Sequence, residues 1–324
     1  MPLETVLALA VLALVIDALT GEPAWLYRRV PHPVVLLGRG ITGLEGWLWR
    51  PDQPPAQRRR RGVLLVVAAL LPALLLGAAL GLVATAGPLG LVVTALACST
   101  LVAQRSLVDH VRDVAKGLAQ GLDAGRAAVA RIVGRDPNQL DPSGVARAAI
   151  ESAAENEADG VIAPLFWLLL LGPLGLLAYK TVNTLDSMVG YRSERYLHFG
   201  WASARLDDLI NHLPARLTGL GLLLVAGRPA LWLKVRQEAP KHRSPNAGWP
   251  EAAMALLLDV KLAGPRLYAS GRVDDDWIGT GSKDAGPADI ERAIALLWRL
   301  WFGLVGLLAL IWCGIVIWPS STPA

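Results

Sequence analysis

Long apolar blocks are the feature that most constrains how this chain can fold. Residues 63–86, 89–103 and 295–318 are almost uninterrupted apolar stretches, each close to the ~20 residues that a helix needs to cross the hydrocarbon of a bilayer. Lipid offers no hydrogen bonds, so each block must pair its own backbone polar groups, which predicts a helix. Three other apolar stretches are shorter or interrupted and could span, re-enter or be buried in protein: 3–19, 161–179 and 217–233.

The fold class that follows is an all-α polytopic integral membrane protein with four to six transmembrane or re-entrant helices. The chain has 53% hydrophobic and only 18% charged residues, with a mean hydropathy of +0.42, which separates it from ordinary soluble domains. We predict one membrane-embedded domain over residues 1–324, as a multi-pass protein of the cell membrane (inner or plasma membrane). Its polar parts are a helical segment at 104–160 and two motif-bearing segments at 180–216 and 234–294.

The charge distribution predicts which side of the membrane the polar segments face. The net charge is +4, and the densest basic run, the four arginines at 58–61, immediately precedes the first apolar block. Basic residues beside a span face the cytoplasm, so a hairpin of the first two blocks places 104–160 there too, as amphipathic cytoplasmic helices. Whether 161–179 crosses or re-enters decides the side of 180–216, and hydropathy leaves both open. The arginines lack a basic groove or stacking aromatics, which argues against nucleic acid as a partner.

An acidic motif, ESAAENEADG at 151–160, stands directly before one of the most apolar segments. On a helix, Glu151, Glu155 and Asp159 fall at i, i+4 and i+8, so their carboxylates share one face. A solvated acidic face is the simpler interpretation of that spacing. The alternative is a site for magnesium with nucleotide phosphates, because this hard ion takes one or two protein carboxylates and fills its other positions with water or phosphate.

The segment 180–216 carries a second concentration of polar side chains next to the membrane. Lys180, Asn183 and Asp186 recur at helical spacing directly after an apolar stretch, where ionisable groups are costly unless they are paired or functional. Further charged and titratable residues follow: Arg192, Arg195, Arg205, Asp207, Asp208 and His212. An interfacial helix with snorkelling cations is one interpretation. A phosphate and metal site, with carboxylates and arginines as its complementary halves, is the other.

Two shorter motifs add candidate residues. His32 stands between two prolines on a stiff extended segment, and its ordinary pKa suits proton transfer, although a lone histidine is more often structural. In SPNAGWPEA at 244–252, the serine, proline and asparagine predict a turn before a capped helix. The chain contains no Gly-Lys dipeptide and hence no Walker A loop, and GTGSKDAG at 279–286 predicts only a flexible loop.

Taken together, several ordered motifs are similar to those of the membrane-bound adenosylcobinamide-phosphate synthase family of cobalamin biosynthesis. The resemblance runs in the same order from about Asp17 to the region of Ile290, and it is weaker after Ala255. The motifs that carry it are DALTGEP, PHPVVLLGRGI, ESAAENEADGVIAPLFW, YKTVNTLDSMVGY, FGWASARLDDLINHLPARLT and SPNAGWPEAAMA.

The resemblance implies an enzyme, an amide ligase that joins adenosylcobyric acid to aminopropanol phosphate or a related amino-alcohol phosphate. ATP is the implied co-substrate and Mg²⁺ the implied cofactor. The lipid bilayer is an implied partner, and the resemblance also allows association with other corrinoid-assembly proteins. The active site of such an enzyme would face the cytoplasm.

The chemistry of such a ligase gives each candidate residue a role. Carboxylates would carry magnesium and the ATP phosphates: Glu151, Glu155, Asp159 and Asp186. Cations would neutralise phosphate charge: Lys180, Arg192, Arg195 and Arg205. Amide side chains would orient the amides of the substrate: Asn156, Asn183 and Asn246. Three groups are candidates for deprotonating the ammonium nucleophile: His32, Asp208 and His212.

Two other classes of protein stay open from the sequence. A membrane sensor or regulatory protein of the same superfamily would have degraded acidic and SPNAGWPEA motifs, whereas both are complete here. A corrinoid transporter would show inverted repeats and charges buried at mid-membrane, and the sequence shows no such repeat.

Overall fold

Helices make up nearly all of the regular structure. A computed structural model describes residues 1–134, 136–268, 271–273 and 275–317. One residue of the predicted segment 104–160, three residues of the predicted segment 234–294 and Trp318 of the predicted block 295–318 therefore lie outside the described residues. The α-helices are α1 (Leu3–Thr20), α2 (Ala24–Tyr27), α3 (Pro33–Leu48), α4 (Pro55–Thr85), α5 (Pro88–Ser99), α6 (Gln104–Gln120), α7 (Leu122–Val129), α8 (Pro142–Glu157), α9 (Ala163–Leu171), α10 (Pro173–Val189), α11 (Tyr196–Phe199), α12 (Trp201–Ile210), α13 (His212–Val225), α14 (Trp232–Glu238), α15 (Gly248–Leu258) and α16 (Pro287–Ile317). Three 3-10 turns occupy Pro137–Gln139, Pro229–Leu231 and Ala239–Lys241, and a π-helical turn occupies Ala158–Ile162.

The strands of the described chain are only two or three residues long, so the predicted all-α fold class is confirmed. They are β1 (Leu262–Ala263), β2 (Arg266–Tyr268), β3 (Gly271–Val273) and β4 (Trp277–Ile278). β1 pairs antiparallel with β4, with Ala263 opposite Trp277, and β2 pairs antiparallel with β3. These pairs form short connections between α15 and α16.

The helices group into two compact units. Among the described residues, the first unit contains Met1–Ala103, Ala163–Ile210 and the end of α16 from Val305 to Ile317. The second unit contains Gln104–Ile162 and Asn211–Leu304. That the chain forms one membrane-embedded domain stays a prediction.

Within the described residues, four helical stretches are long and apolar enough to cross a membrane, in agreement with the four to six predicted. They are Leu3–Thr20, Pro55–Thr85, Pro88–Gln120 and Pro287–Ile317. The apolar helix α13 has 14 residues, which at 1.5 Å per residue gives about 21 Å. That length is short of the roughly 30 Å of hydrocarbon that a span must cross.

The first two predicted spans form the expected hairpin. Gly87 lies between α4 and α5 at φ 118°, a conformation that favours glycine. The two helices then approach closely, since a Cβ atom at Gly90 would overlap the carbonyl of Val83. Thr94 Oγ1 lies 3.2 Å from Leu80 O across the hairpin.

The apolar stretch 161–179 also turns back on itself. α9 has 9 residues and is followed by Gly172 at φ 68°, after which α10 begins. A Cβ atom at Gly175 would overlap the carbonyl of Trp167, although a straight helix would hold these two residues about 12 Å apart along its axis. The stretch is therefore a helix–turn–helix hairpin and not one straight helix. Whether it re-enters a membrane, and on which side of it residues 180–216 lie, stays a prediction.

α4 lies at the centre of the first unit, where it packs against α3, α10, α11 and α12. Two glycines of α4 permit the closest approaches, because Cβ atoms at Gly77 and Gly62 would overlap the backbone of Leu174 and Phe199. Buried apolar side chains fill the space between these helices: Ile41, Leu48, Leu65, Leu185, Val189 and Phe199. This packing fixes α10 and α12, which carry most of the polar residues of segment 180–216.

The amphipathic helices predicted for 104–160 are α6, α7 and α8 of the second unit. Gly121, at φ 142°, separates α6 from α7. Asp141 caps α8 by accepting a hydrogen bond from Gly144 N at 2.6 Å, the usual role of an aspartate directly before a helix. α8 is rich in buried alanines and packs against α6, α7, α15 and β1. This packing positions the acidic motif, which occupies the end of α8.

Candidate functional site

The predicted site residues are divided between the two units. Those of the first unit are His32, Lys180, Asn183, Asp186, Arg192, Arg195, Arg205 and Asp208. Those of the second unit are Glu151, Glu155, Asn156, Asp159, His212 and Asn246. Each set has its own surroundings.

Glu151, the first carboxylate of the acidic motif, is a buried hydrogen-bond acceptor. Only 6% of its surface is exposed, and its Oε1 accepts from the backbone N–H of Ala263 in β1 at 2.8 Å. A buried carboxylate costs free energy unless donors compensate it, and the amide is such a donor. Glu151 therefore ties α8 to β1. Its role as a magnesium ligand stays a prediction.

A π-helical turn interrupts the face that the three carboxylates were expected to share. The turn follows α8 directly, and such turns widen the helix by one residue and are frequent at functional sites. Asp159 is therefore rotated from the position that it would take on a regular α-helix. Glu155 is exposed and Asp159 half-buried. Glu157 is fully buried, and Gln104, with its amide nitrogen turned toward it, donates to its carboxylate at 3.2 Å.

The acidic motif meets the requirements of magnesium only through part of the predicted ligand set. In the part of the chain that the structure describes, no group of three or more His, Cys, Asp or Glu side chains is arranged to hold a metal ion. Magnesium does not require one, since it takes one or two protein carboxylates and completes its shell with water and phosphate. Glu155 and Asp159 fit that donor set by type and exposure. The predicted fourth ligand, Asp186, belongs to the first unit.

Two cations that the sequence prediction did not include lie beside the acidic motif. Arg147 is one turn before Glu151 on α8, and its guanidinium lies 5.4 Å from the centre of the Trp277 ring. Lys283 Nζ lies 4.6 Å from the same ring, and Arg147 donates to Lys283 O. The i, i+4 spacing of Arg147 and Glu151 is a signal that could have identified the arginine. Lys283 lies far from Arg147 in sequence, and only the folded structure brings the two residues together.

Backbone hydrogen bonds hold the loop at 279–286, which the sequence predicted as flexible. Ser282 O accepts from Lys261 N at 2.7 Å, and Ser282 N donates to Asp259 O at 3.1 Å. Gly279 N donates to Glu238 Oε2 at 2.8 Å. These contacts order the start of the loop and fix the exposed Lys283 beside Trp277.

The other candidates of the second unit differ in exposure. Asn246 is buried in the predicted turn before α15, where Ser244 Oγ accepts from Asn246 N at 3.2 Å. Asn156 is exposed, and its Nδ2 donates to Ser152 O at 2.8 Å. His212 is exposed at the start of α13. Asn156 and His212 face solvent, whereas Asn246 belongs to the start of α15. Their roles toward substrate stay predictions.

In the first unit, α10 and α12 bring two carboxylates together. Burial and the charge of Asp208 raise the pKa of Asp186 to about 6. Burial also raises the pKa of Asp208, where Arg205 and Arg192 act in the opposite direction. Arg205 Nη1 lies 3.7 Å from Asp208 Oδ2. Both carboxylates lie outside the four candidate spans, and raised pKa values beside specific charge partners mark a candidate functional group.

His32 and Lys180 are neighbours in the first unit although they are far apart in sequence. Burial lowers the pKa of His32, Glu22 raises it and Lys180 lowers it. His32 Nδ1 accepts from Val34 N at 3.2 Å and so caps α3. Because that lone pair is engaged, the neutral ring carries its proton on Nε2. His32 is therefore better placed to donate a hydrogen bond than to accept a proton.

An apolar cavity of about 470 Å³ lies beside Lys180 in the first unit. Its walls come from α3, α4, α5 and α10 and are mainly leucine, alanine and proline side chains, with Lys180 and Thr181 among the polar groups. The volume is within the range of small-molecule sites. Asn183, one turn after Lys180, is half-buried, and its carbonyl accepts from Ser187 Oγ at 2.9 Å.

Arg195 forms an ion pair within the first unit. Its Nη2 lies 2.7 Å from Oε1 of the buried Glu45, and Tyr196 donates to the same oxygen at 2.8 Å. The hydrogen bond to Glu45 raises the pKa of Arg195, and its guanidinium stacks on Trp49 at 5.4 Å. The exposed Arg195 is thus already paired with a carboxylate of the same unit, and its role in phosphate binding stays a prediction.

Known proteins resemble this chain over most of its length. The family model described as CobD/Cbib protein matches residues 10–297. A Sinorhizobium protein named "Cobalamin biosynthesis protein CobD" is 50% identical over 306 residues, which cover 91% of this chain and 94% of the relative. Proteins of the same name from Rhodobacter capsulatus and Brucella suis biovar 1 are 47% and 44% identical, over 94% of this chain and 98% and 96% of the relatives. No solved structure matches. The chain therefore belongs to the CobD/Cbib family.

Proposed function

We propose that this protein acts in cobalamin biosynthesis as an adenosylcobinamide-phosphate synthase. The reaction would join adenosylcobyric acid to aminopropanol phosphate, or to a related amino-alcohol phosphate, through an amide bond and with consumption of ATP. The observation that carries the proposal is the family match over residues 10–297, with relatives at 50% and 47% identity that are named cobalamin biosynthesis proteins. The ordered motifs of the sequence support the finer assignment of substrates.

The chemistry requires activation, since a free carboxylate is a poor electrophile. In the simplest sequence, a carboxylate oxygen of adenosylcobyric acid attacks the terminal phosphorus of ATP, ADP leaves, and an acyl phosphate forms. The ammonium of the second substrate loses one proton to a base, and the amine nitrogen attacks the acyl carbon. The bond to phosphate then breaks, and the departing phosphate takes the second proton. Protein groups must therefore hold phosphate and accept a proton.

The second unit supplies nucleotide-binding groups in this proposal. Magnesium, when bound, would neutralise negative charge on the ATP phosphates, and Glu155 and Asp159 would hold it. Arg147 and Lys283 would contact phosphate oxygens, since charge-assisted hydrogen bonds of this kind are strong. Glu151 would position α8 against β1 through its bond to Ala263.

The first unit supplies the base and further phosphate-binding cations. Asp208 is the favoured base because its raised pKa brings it nearer to the working pH. Arg192, Arg205 and Lys180 would neutralise phosphate charge. His32 would donate a hydrogen bond from Nε2, since its Nδ1 caps α3. His212 is the second candidate for the base.

The membrane is the proposed setting of the reaction. Four helical stretches can cross a bilayer, and we place them in the cell membrane with the active site on the cytoplasmic side, where ATP is present. The bilayer would hold the protein beside a bulky amphipathic corrinoid. Other corrinoid-assembly proteins are further proposed partners.

A reconstituted reaction tests the proposal. Purified protein in detergent, given adenosylcobyric acid, ATP, magnesium and aminopropanol phosphate, should form a product with the summed mass of the two joined substrates minus water. Absence of product with every amino-alcohol phosphate tried would overturn the ligase. Vesicles that accumulate labelled corrinoid without making this product would indicate a transporter instead.

A further inference from the structure

Four charged side chains of the first unit form one mixed cluster, near the ends of α10 and α12. Asp186 lies on α10 and Asp208 on α12, and these two helices pack against each other, so that the charge of Asp208 acts on Asp186. Arg205 Nη1 lies 3.7 Å from Asp208 Oδ2, and the charge of Arg192 also acts on Asp208. Two carboxylates and two guanidinium groups are therefore gathered within one folded unit.

The two kinds of charge in this cluster are arranged asymmetrically. The arginines are exposed, whereas Asp186 is half-buried. The charges of both arginines lower the pKa of Asp208, whereas burial and the charge of Asp208 raise the pKa of Asp186. Two carboxylates that share a poorly solvated site repel each other, and a cation between them relieves that repulsion. The Asp186 side of the cluster therefore attracts a cation, and the arginine side attracts an anion.

Gly190 makes room for the Asp186 carboxylate. Its φ of −73° is open to any residue, so the backbone conformation does not require glycine. A Cβ atom at this position would, however, overlap Asp186 Oδ1. The Asp186 carboxylate therefore occupies space that a larger residue at position 190 would fill.

We infer that this cluster is the subsite for the amino-alcohol phosphate, with the ammonium against Asp186 and Asp208 and the phosphate against Arg192 and Arg205. The inference rests on the proposed function for the identity of the ligand. An amino-alcohol phosphate is a zwitterion, and the cluster offers the opposite charges in matching order. Recognition of both ends separates this substrate from inorganic phosphate and from simple amines. Asp186 would then serve the ammonium and not magnesium.

Direct binding tests the subsite without turnover. Aminopropanol phosphate is titrated calorimetrically into the full-length protein in detergent, with EDTA present and ATP absent. Two probes each lack one end of the zwitterion: aminopropanol without phosphate, and propyl phosphate without the amine. Because each charged end makes charge-assisted hydrogen bonds, each truncated probe should bind at least about tenfold more weakly than aminopropanol phosphate.

Two variants separate the roles of the cluster from a merely structural effect. Asp186→Asn should weaken aminopropanol phosphate and aminopropanol by about tenfold but leave propyl phosphate unchanged, and Arg205→Gln should weaken the two phosphate probes alone. Glu194→Gln, which changes an exposed carboxylate outside the cluster, is the matched control and should leave all three affinities unchanged.

The outcomes distinguish this inference from the proposed function. In the expected crossed pattern, Asp186→Asn weakens only the two probes with an amine and Arg205→Gln only the two probes with a phosphate. Loss of this pattern, equal weakening of all three probes by Asp186→Asn, or no binding at all would overturn the subsite. If the ligase reaction proceeds and Asp186→Asn leaves the KM for aminopropanol phosphate unchanged, the subsite is wrong while the proposed function stands. If the crossed pattern appears and no ligation product forms, the zwitterion site stands and the ligase falls.

Discussion

Glu151 of the second unit and Asp186 of the first are both acids removed from bulk water, yet their surroundings differ. Glu151 accepts a hydrogen bond from the backbone N–H of Ala263 at 2.8 Å. Asp186 instead lies near a second carboxylate, and burial and that neighbour raise its pKa to about 6. A matched donor makes a buried acid part of the scaffold. An acid held beside another acid is poised to bind a cation or a proton.

The largest effect is expected from replacing Glu155, the exposed carboxylate four residues after Glu151 in the acidic motif. Glu155→Gln removes one charge with little change in size, so ligation should slow by about 100-fold or more if this carboxylate holds magnesium on the nucleotide. The melting temperature in detergent should stay the same because the side chain is exposed. Product formation at saturating ATP measures the effect, with the exposed Asp123→Asn as control. An unchanged rate would remove Glu155 from the site.

Gly190→Ala tests the acid of the first unit through its neighbour. The added Cβ would displace the Asp186 carboxylate, and overpacking of this kind costs about 1–3 kcal/mol. We expect the KM for aminopropanol phosphate to rise by about tenfold, since a displaced carboxylate loses a charged hydrogen bond. Gly43→Ala is the matched control, because nothing lies within 4 Å of a Cβ there. Equal kinetics for the two variants would contradict a binding role for Asp186.

Glu151 allows a test of the scaffold role. Glu151→Ala leaves the buried N–H of Ala263 without its acceptor and should lower the free energy of unfolding by about 1–3 kcal/mol. Glu151→Gln keeps a carbonyl acceptor at the same position and should recover most of that loss. Denaturant unfolding of the detergent-solubilised protein measures both. If alanine and glutamine are equally destabilising, the charge and not the hydrogen bond to β1 is what stabilises this region.

The smallest effect concerns His32, whose pKa in the folded protein is lowered, chiefly by burial. The folded state thus favours neutral imidazole, so the cap on α3 contributes stability above the ordinary pKa of 6.5 and loses it as the pH falls through the lowered value. The loss should be about 0.5–2 kcal/mol, the usual range for a helix cap. His32→Asn keeps a capping side chain that does not titrate. Thermal unfolding from pH 8 to pH 5 should therefore diverge between the two proteins, and parallel curves would contradict the cap.

Much of the fold follows from local sequence signals. Apolar blocks predict helices because lipid and protein interiors both require paired backbone groups, and four of the predicted stretches are long enough to span. The glycine at 87 and the Asp141 cap are likewise local, since a positive φ and a capping side chain depend on near neighbours alone. Hydropathy could not identify the turn at Gly172, because a span and a hairpin bury the same apolar residues.

The candidate site was predictable only in part. Residue types and spacing alone identified the acidic motif and the polar residues after Lys180. They could not show that Glu151 accepts a hydrogen bond from β1, or that a π-helical turn changes the direction of Asp159 relative to Glu151 and Glu155. The partner Ala263 and the cation Lys283 are distant in sequence from α8, and nothing in the periodicity of one helix encodes a contact with another segment.

Composition, periodicity and ordered motifs were enough to predict an all-α membrane protein, its family resemblance and a set of candidate site residues. Those properties depend on composition, periodicity and ordered motifs, all of which are written along the chain. The tertiary structure alone decided which acid is buried with a donor, as Glu151 is, and which lies beside another acid, as Asp186 does. The physical reason is that desolvation and charge pairing depend on distances between segments, and these are set by the packing of α4, α8, α10 and α12.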